Sequence, residues 1–401
     1  MKKILFVANT LGTAGAEKAL IELLRKFSGK EYEIYLYVLM NQGELIKDIP
    51  DFVTVLNEDF DDTQVLGAEG KKHLLRYSFK TLFKNGAIFK LFGYLVKQTF
   101  IMLKNGRLMT DKLLWQAMAM GAKRFDINFD MAVAFFEGGS TYYVSNYVNA
   151  SKKVSFVHIA YSDAGYTPSL DRGCYDRIDR IYGVSKEVSD EFLKVYPQYS
   201  EKTGVFHNII NMDGVITKSM ASNPFDDGFD GVTIVTVGRL NKQKAYEVSI
   251  EACRLIKEDG INIRWFALGE GDERAFLEDL IEKSGLFDTF ILKGNVENPY
   301  PYIKNCDFYV HASRFEGKSI AIQEAQILKK PIVATDCNGN REQITDGFDG
   351  FLCEFTPRGV YEAIKKLIDD PKRAELMGVR AYEKISAICL DDSEFNDFLD
   401  I

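Results

Sequence analysis

The stretch that determines the expected fold of this chain is Cys306-Asp-Phe-Tyr-Val-His-Ala-Ser-Arg-Phe-Glu-Gly-Lys-Ser-Ile-Ala-Ile-Gln-Glu-Ala-Gln-Ile-Leu-Lys-Lys-Pro-Ile-Val-Ala-Thr335. Residues 308–312 form a short apolar run that is typical of a strand. Gly317 permits a tight turn, and the apolar spacing over 318–330 predicts a helix. A proline ends this helix before a second strand at 332–335. Strand, turn, helix and strand close as a parallel β-α-β crossover, so the stretch predicts an α/β domain.

Two carboxylates accompany this crossover: Glu316 on the turn and Glu324 in the predicted helix. The turn lies at the ligand edge of a parallel sheet, where the free N–H groups of a helix start favour an anion. A helical rise of about 1.5 Å per residue would separate the carboxylates by roughly 12 Å, comparable with the distance from sugar to ribose in a nucleotide-sugar. Both can accept hydrogen bonds from hydroxyl groups. Taken alone, such a pair is more often two solvated surface charges.

A second strand-to-helix connection combines glycine with basic side chains. The strand predicted at 232–237 is followed by Gly238-Arg239-Leu-Asn-Lys-Gln-Lys244. Arg239 and Lys244 stand where the strand gives way to a helix, which is a suitable place to neutralise a diphosphate. On their own they would also fit ordinary surface bases.

The N-terminal half offers weaker signals of the same kind. A strand at 4–8 precedes Gly12 and Gly15, and glycines between a strand and a helix let the backbone approach a ligand closely. The pattern also fits a simple tight connection. A later strand, 154–159, carries His158 near its carboxyl end. A lone histidine in an apolar strand is more often structural than functional.

Together these motifs resemble those of the retaining family 4 glycosyltransferases, which belong to glycosyl transferases group 1. Glu316 and Glu324 match the Glu-x7-Glu signature, and Val-Gly-Arg-Leu-x3-Lys at 237–244 resembles the donor-phosphate motif. Ala14 replaces a glycine of the family's N-terminal Gly-Gly-x-Glu loop, and Ala245 stands where glycine is usual in the donor motif. The resemblance covers 1–58 and 128–375, is most specific over 232–355 and is absent from 60–127.

The resemblance implies a role for each of these residues and a site without a metal. Arg239 and Lys244 would stabilise the departing diphosphate, Glu316 would bind the sugar's hydroxyls, and His158 would reach the sugar or acceptor. Glu324 would hold the ribose hydroxyls. The other residues implied in donor binding are Gly12, Gly15, Gly238, Asn295, Val296, Gly317, Lys318 and Ser319.

The implied fold is GT-B, with two Rossmann-like doubly wound domains facing each other across a cleft. The expected division is an N-terminal acceptor domain at 1–210, a linker at 211–230 and a nucleotide-sugar-binding domain at 231–385. A C-terminal tail, 386–401, is expected to cross back to the first domain. The linker assignment depends on the Ser-, Asn-, Pro- and Gly-containing segment at 222–228.

Residues 60–127 are expected to form a basic helical insertion in the first domain. The segment 71–124 holds twelve Lys or Arg and one acid, interleaved with large apolar residues. One interpretation is a helical insertion packed on the domain with its lysines in water. The other is a surface for anionic lipid that gives access to a lipid-linked acceptor.

Composition excludes several other classes of protein. The net charge of −8 argues against a nucleic-acid partner, and the six cysteines show no paired metal spacing. No run of 18 apolar residues is present, and the first apolar run predicts a buried strand rather than a signal peptide. A D-x-D triplet at Asp59 and Asp61 is attributed to chance. The expected location is cytoplasmic, peripheral on the inner face of the cytoplasmic membrane.

The predicted reaction is retaining transfer of a hexose from a nucleotide-diphosphate sugar, with a UDP-sugar favoured, and needs no cofactor or metal. The acceptor would be a hydroxyl of a glycan or polyprenyl-linked molecule in surface polysaccharide assembly, such as capsule or lipopolysaccharide. Two alternatives stay open. One is a nucleotide-sugar epimerase or a phosphorylase on the same fold, and the other is a non-catalytic nucleotide-sugar-binding subunit.

Overall fold

The computed structural model describes residues 1–13, 15–65, 68–104, 109–161 and 164–401. Ala14, which replaces a glycine of the family's N-terminal loop, lies outside the described residues. The chain divides into two compact units, one formed by Met1–Ile209 with Ser393–Ile401 and the other by Ile210–Asp392. Each unit is an α/β domain built on a parallel sheet.

The sheet of the first unit has strand order β3-β2-β1-β4-β5-β6-β7. Its strands are β1 (Lys2–Ala8), β2 (Tyr32–Val38), β3 (Val53–Val55), β4 (Phe129–Ala134), β5 (Ala150–Val157), β6 (Arg180–Gly183) and β7 (Thr203–Val205). Ile4 of β1 is in register with Ile34 on one side and Met131 on the other. The direction of chain progression reverses between β1 and β4, which makes their carboxyl ends the topological switch point.

The helices that accompany this sheet are α1 (Gly15–Arg25), α2 (Ala68–Phe83), α3 (Ala87–Lys90), α4 (Phe92–Lys104), α5 (Thr110–Gly121), α6 (Gly139–Tyr147), α7 (Pro168–Asp171) and α8 (Lys186–Val195). The four helices from α2 to α5 form the segment that was predicted as an insertion. Leu82, Ala87 and Leu91 are buried with Met118 and with Met40, which follows β2. The insertion therefore has an apolar inner side packed on its own domain.

The sheet of the second unit has strand order β10-β9-β8-β11-β12-β13. Its strands are β8 (Val232–Val237), β9 (Ile263–Leu268), β10 (Phe290–Gly294), β11 (Phe308–His311), β12 (Ile332–Thr335) and β13 (Phe351–Cys353). Here the switch point lies between β8 and β11, which pair directly through Phe308 with Ile234 and Tyr309 with Val235.

The second unit also contains eight described helices, α9–α16. They are α9 (Met212–Ser219), α10 (Tyr246–Glu258), α11 (Arg274–Lys283), α12 (Tyr300–Asn305), α13 (Ile320–Ile327), α14 (Asn338–Gln343), α15 (Pro357–Asp369) and α16 (Pro371–Leu390). Short 3-10 helices lie at Glu44–Asp48, Lys84–Gly86, Cys174–Arg177, Pro197–Lys202 and Lys242–Lys244. Apolar side chains from β8, β9, α10 and α15 form the larger core of the second unit, and Trp265 is fully buried in it.

The predicted linker at 211–230 is wrong over its first half, because α9 occupies it. The Asn211 side chain caps this helix by accepting a hydrogen bond from the Gly214 N–H at 2.7 Å. Val215 is buried against Ile327 and Ile385 of the second unit. The turn-forming residues lie only at 222–228, and the apolar positions before them allow a packed helix.

The predicted C-terminal tail also begins too early, because α16 continues to Leu390. Only Ser393–Ile401 belongs to the first unit, where the last helix, α17 (Ser393–Leu399), packs. The ring of Phe395 lies 5.3 Å from that of Phe27, and the Glu394 carboxylate accepts a hydrogen bond from the His207 N–H at 2.6 Å.

The helix predicted at 318–330 is shorter in the structure, because α13 runs only from Ile320 to Ile327. Ser319 caps it by accepting from the Ile322 N–H, and Lys329 beyond its end has a left-handed φ of 56°. The residues from Glu316 to Ser319 are not helical. The separation of roughly 12 Å between Glu316 and Glu324 assumed a continuous helical rise, so that estimate does not hold.

Candidate donor site of the second unit

Two loops at the switch point of the second sheet carry most of the predicted site. One follows β8 and contains Gly238, and the other follows β11 and contains Glu316. Since β8 and β11 are paired neighbours in a parallel sheet, both loops leave the same edge. This edge is where open α/β sheets bind ligands.

Lys244 and Glu316, predicted from separate motifs, meet here in an ion pair. The Lys244 Nζ contacts Glu316 Oε1. The same carboxylate oxygen lies 3.0 Å from His311 Nε2 and accepts a hydrogen bond from the Ser313 hydroxyl. His311 Nε2 is also 3.2 Å from the Lys244 Nζ. The Glu316 side chain is 8% exposed and the Lys244 side chain 17%, so the pair is largely removed from water.

Electrostatics keep this carboxylate charged. Burial by itself would raise the pKa of Glu316, but the charge of Lys244 and the hydrogen bond from His311 outweigh it and hold the pKa well below its usual range. Burial and the neighbouring Lys244 charge lower the pKa of His311, while Glu316 opposes them. At neutral pH the Glu316 carboxyl is therefore ionised and the His311 imidazole is neutral.

The backbone around Lys244 adopts the conformation that the expected glycine would have favoured. Ala245 is buried and left-handed, with φ 43° and ψ 45°. Asn241 caps the short 3-10 helix by accepting from the Lys244 N–H at 3.1 Å, and the Tyr246 hydroxyl donates to the Gly238 carbonyl at 2.8 Å. These contacts fix the loop and direct the Lys244 side chain toward Glu316.

Arg239, the second cation of this loop, is exposed and does not belong to the Lys244–Glu316 cluster. Gly317 and Lys318 are half-buried, and Ser319 is buried at the start of α13. The Ser319 hydroxyl lies 3.4 Å from His311 Nε2. The helix start that was predicted to supply N–H donors is thus linked to the charged cluster through His311.

Glu324 lies inside α13, is buried, and accepts a hydrogen bond from the Tyr300 hydroxyl at 2.9 Å. Asn295 and Val296 follow the carboxyl end of β10, at the edge of the sheet. Asn295 is exposed, and Val296 is half-buried in an apolar cluster that includes Val235 and Leu268. Glu324 is therefore held by a neighbouring tyrosine, while Asn295 offers its polar side chain to solvent or a ligand.

In the first unit, His158 directly follows β5 and is surrounded by aromatic rings. Its Nε2 lies 2.8 Å from the Phe135 carbonyl, and the ring centroids of Phe135 and Phe136 are 4.9 and 5.3 Å away. Burial lowers the pKa of His158 to about 4, so the ring is neutral and its Nε2–H donates to the carbonyl. The His158 N–H donates to Glu137 Oε2 at 3.0 Å. Nδ1 remains as the acceptor nitrogen.

The glycines of the first unit lie at the switch point of its own sheet. Gly12 is buried after β1, and Gly15 is the first residue of α1. Asn9, between β1 and Gly12, accepts a hydrogen bond from the Ser140 N–H at 2.9 Å, which joins the loops that follow β1 and β4.

The residues that the sequence did not single out are His311, Ser313 and Tyr300. His311 and Ser313 precede Glu316 by five and three positions in the stretch that decided the fold. Polar residues at the carboxyl end of a buried strand are the signal that could have identified them.

The D-x-D triplet has a local structural explanation for one of its members. The Asp61 carboxylate accepts from the Thr63 N–H at 2.9 Å and pairs with His73 at 2.6 Å. Within the described part of the chain, no group of three or more His, Cys, Asp or Glu side chains is arranged to hold a metal ion.

Comparison with known proteins shows which family the second unit resembles. Residues 221–384 match the family model described as glycosyl transferases group 1. This match covers most of the second unit, and the chain has the two-domain GT-B fold.

A relative over nearly the whole chain is N-acetylgalactosamine-N,N'-diacetylbacillosaminyl-diphospho-undecaprenol 4-alpha-N-acetylgalactosaminyltransferase of Campylobacter jejuni. It is 25% identical over 375 residues, which span 93% of this chain and 92% of the relative. Among solved structures, Anabaena HepE in complex with UDP-glucose has a TM-score of 0.69 at 14% identity and full coverage of both chains. TarM has a TM-score of 0.70 at 15% identity, covering 100% of this chain and 98% of its own. At these identities the two structures support the fold.

Proposed function

We propose that this protein transfers a hexose from a nucleotide-diphosphate sugar, with a UDP-sugar favoured, to a hydroxyl of a glycan or polyprenyl-linked acceptor in surface polysaccharide assembly. The observation that carries the proposal is the buried cluster of Lys244, Glu316 and His311 at the switch point of a group 1 domain. The undecaprenol-linked acceptor in the name of the Campylobacter relative and the UDP-glucose complex of HepE support the choice of substrates.

The residues of the donor site have separable tasks in this proposal. Lys244 and the exposed Arg239 neutralise the diphosphate, whose charge grows as it leaves, and a fixed cation stabilises that charge without reorganisation. The start of α13 at Ser319 adds N–H donors. Glu324, held by Tyr300, accepts from the ribose hydroxyls.

Glu316 is suited to bind the donor sugar through one of its two oxygens. The contacts described above, from Lys244, His311 and Ser313, converge on Oε1. Oε2 can then accept from a sugar hydroxyl. A carboxylate held in this way presents a fixed acceptor beside the reacting carbon.

We further propose that the reaction retains the anomeric configuration and needs no metal. The bond from the anomeric carbon to the diphosphate oxygen breaks, and a bond to the acceptor oxygen forms on the same face. The acceptor's proton passes to the departing phosphate, so no protein nucleophile is required. Lys244, Arg239 and the helix start would provide the electrostatic stabilisation that a cation supplies in other enzymes.

The test uses the purified chain, a panel of nucleotide-sugars and an acceptor extract of membrane lipids, with products identified by mass spectrometry. Transfer or slow donor hydrolysis is the expected result, and it should persist in excess chelator. Loss of activity in chelator with recovery in Mg²⁺ or Mn²⁺ would contradict metal independence. Isomerised free nucleotide-sugar would instead reveal an epimerase, and phosphate-dependent sugar release a phosphorylase. Binding without turnover would indicate a non-catalytic subunit.

We also propose that the protein is cytoplasmic and binds an anionic membrane surface through its insertion. Exposed apolar side chains recur every four residues on α2, at Leu75, Phe79 and Phe83, and on α4, at Phe92, Val96 and Phe100. Exposed lysines flank them at positions 80, 84, 90 and 97. No helix in the described ranges is long and apolar enough to cross a bilayer. Basic residues beside exposed aromatic rings are typical of helices that lie in a membrane interface.

A further inference from the structure

We infer that His311 is a positioning residue of the donor site. It holds the Glu316 carboxylate in place while the Lys244 ammonium group moves from Glu316 to the diphosphate of the donor. The inference rests on the proposed function, because it assigns a role within that donor site. Lys244 is the cation expected to bind the diphosphate. In the structure it already forms an ion pair with Glu316.

A diphosphate bound to Lys244 would compete with Glu316 for the charge of its ammonium group. The Glu316 side chain is largely buried, and a buried carboxylate that loses its partner is strongly destabilised. Donor binding is therefore in competition with the internal ion pair. Any group that continues to donate to Glu316 makes the exchange easier.

His311 has the geometry for this task. Its Nε2 is 3.0 Å from Glu316 Oε1, and its Nδ1 is 3.4 Å from the Tyr309 hydroxyl. The Tyr309 hydroxyl is also 3.4 Å from the Val237 carbonyl, so its one proton can go to either acceptor. When it is donated to Nδ1, the ring proton resides on Nε2 and is donated to the carboxylate. Ser313 donates to the same oxygen, so Glu316 keeps two donors after Lys244 turns away.

The surrounding structure fixes this imidazole. His311 is fully buried and ends β11, where it is in register with Ala334 of β12. Its ring stacks on that of Tyr309, with centroids 6.1 Å apart. A residue this deeply buried acts on the donor through Glu316 and Lys244, which makes it a positioning residue.

The experiment measures the dissociation constant for UDP by titration calorimetry, with ADP and GDP tested where UDP does not bind. His311→Leu removes the donor and should weaken UDP binding about tenfold, the scale of one hydrogen bond to a charged group. His311→Gln places an amide N–H near the position of Nε2 and should restore most of the affinity. Uridine, which lacks the diphosphate, should bind the wild type and both variants equally.

Glu316→Gln supplies the decisive comparison. It removes the competitor for Lys244, so UDP should bind more tightly than to the wild type even though sugar transfer falls. In that background His311→Leu should have no further effect on UDP affinity, because the two residues act as one unit. Ser313→Ala should weaken UDP binding in the same direction as His311→Leu, and it tests the same exchange if His311→Leu does not fold.

Several results would overturn the inference. Unchanged UDP affinity in folded His311→Leu would exclude a positioning role. An equal loss in His311→Gln, or an undiminished effect of His311→Leu in the Glu316→Gln background, would show that His311 acts only through packing. A wild-type protein that binds none of the three nucleotides would contradict the proposed function itself, which is a different outcome. Thermal unfolding curves of every variant identify those that fail to fold.

Discussion

Lys244 and Glu324 should fail in different ways when they are replaced, because they face different parts of the donor. Lys244 meets charge that grows during the reaction, so Lys244→Ala should lower kcat by about 10²-fold or more. Glu324 would hold ribose hydroxyls that do not change, and Glu324→Gln keeps one acceptor oxygen, so it should mainly raise KM for the donor. Glu316→Gln should change both parameters, because its carboxylate would lie beside the reacting sugar. Steady-state kinetics over a range of donor concentrations separates the three cases.

A neighbouring lysine provides the control for this comparison. Lys242 lies in the same 3-10 helix as Lys244 but is exposed, and Lys242→Ala should leave kcat within about twofold. If Glu324→Gln abolished kcat while the donor KM stayed constant, the carboxylate would act on the chemical step. The ribose assignment would then be wrong.

Ala245 offers a stability test of the donor loop at the same scale. Its left-handed backbone costs a non-glycine residue about 1–2 kcal/mol, and Ala245→Gly relieves that strain while it removes one buried methyl group worth about 0.8 kcal/mol. The two effects nearly cancel, so the free energy of unfolding should change by less than about 1 kcal/mol. Urea denaturation measures this change.

The matched substitution for this test is Ala252→Gly, in the middle of α10. Ala252 is as fully buried as Ala245, but its backbone is helical. Loss of the methyl group and of helix propensity should together lower the free energy of unfolding by about 2 kcal/mol. Equal losses at the two positions would contradict the strain assigned to Ala245.

Some residues of the candidate site could be identified from the sequence and others could not, depending on the sequence pattern in which each residue stands. Lys244 and Glu316 stand in motifs with fixed spacing, so the sequence identified both. Their ion pair could not be predicted, because it joins residues 72 positions apart through neighbouring strands. His311 sits in an apolar strand, and its importance arises only from the hydrogen bonds that the fold allows.

The start of α13 depends on a close contact with the next helix, α14. Gly339 lies in the first turn of α14, and a Cβ at this position would be 1.6 Å from the Gly317 carbonyl oxygen. Gly339→Ala therefore requires a backbone shift in the loop between Glu316 and Ser319. The free energy of unfolding should fall by about 1–3 kcal/mol, as for other overpacked sites, and donor affinity should fall with it. Denaturation and donor titration measure the two effects.

Gly93 is the control for this prediction, because an added Cβ there meets nothing within 4 Å. It lies in α4, where alanine has the higher helix propensity, so Gly93→Ala should raise the free energy of unfolding by up to about 1 kcal/mol. A Gly339→Ala variant as stable as the wild type would show that the loop adjusts freely.

Among the elements, the strands were the easiest to predict and the ends of helices the hardest. Buried parallel strands such as β8 and β12 consist of apolar residues and threonine, a composition that the sequence displays directly. The end of α13 is set by the left-handed Lys329 rather than by the proline that follows. The helix α9 was missed because its buried Val215 packs against Ile327 and Ile385, which are more than 100 positions away.

Charge is distributed unevenly over the whole molecule. The chain has a net charge of −8, yet residues 71–124 carry twelve basic residues and one acid. The two interpretations of this segment were a helical insertion packed on its domain and a surface for anionic lipid. The structure shows the inward packing through Leu82, and it also shows apolar side chains exposed on the outer side of the insertion. Phe79 stacks near Phe83, and Phe83 contacts Phe89, with centroids 6.2 and 6.3 Å apart.

Two triple variants separate the charge of this surface from its aromatic side chains. Replacement of Lys80, Lys84 and Lys90 with Glu should release the protein from anionic vesicles, because each basic residue contributes about 1 kcal/mol near such a surface. Replacement of Phe79, Phe83 and Phe89 with Ser should weaken the part of the binding that survives in high salt, since apolar burial is not screened. Flotation with vesicles at two salt concentrations measures both.

The control is the same charge reversal at Lys2, Lys152 and Lys186, which are exposed in the first unit but outside the insertion. This variant should float with the vesicles nearly as the wild type does, because a collective effect requires the charges to lie on the surface that meets the lipid. All three variants should still hydrolyse soluble donor, since none of the changed residues belongs to the donor site. Equal flotation of the wild type and the Lys80, Lys84 and Lys90 variant would contradict membrane binding through the insertion. The basic side chains would then serve only to keep a helical insertion solvated.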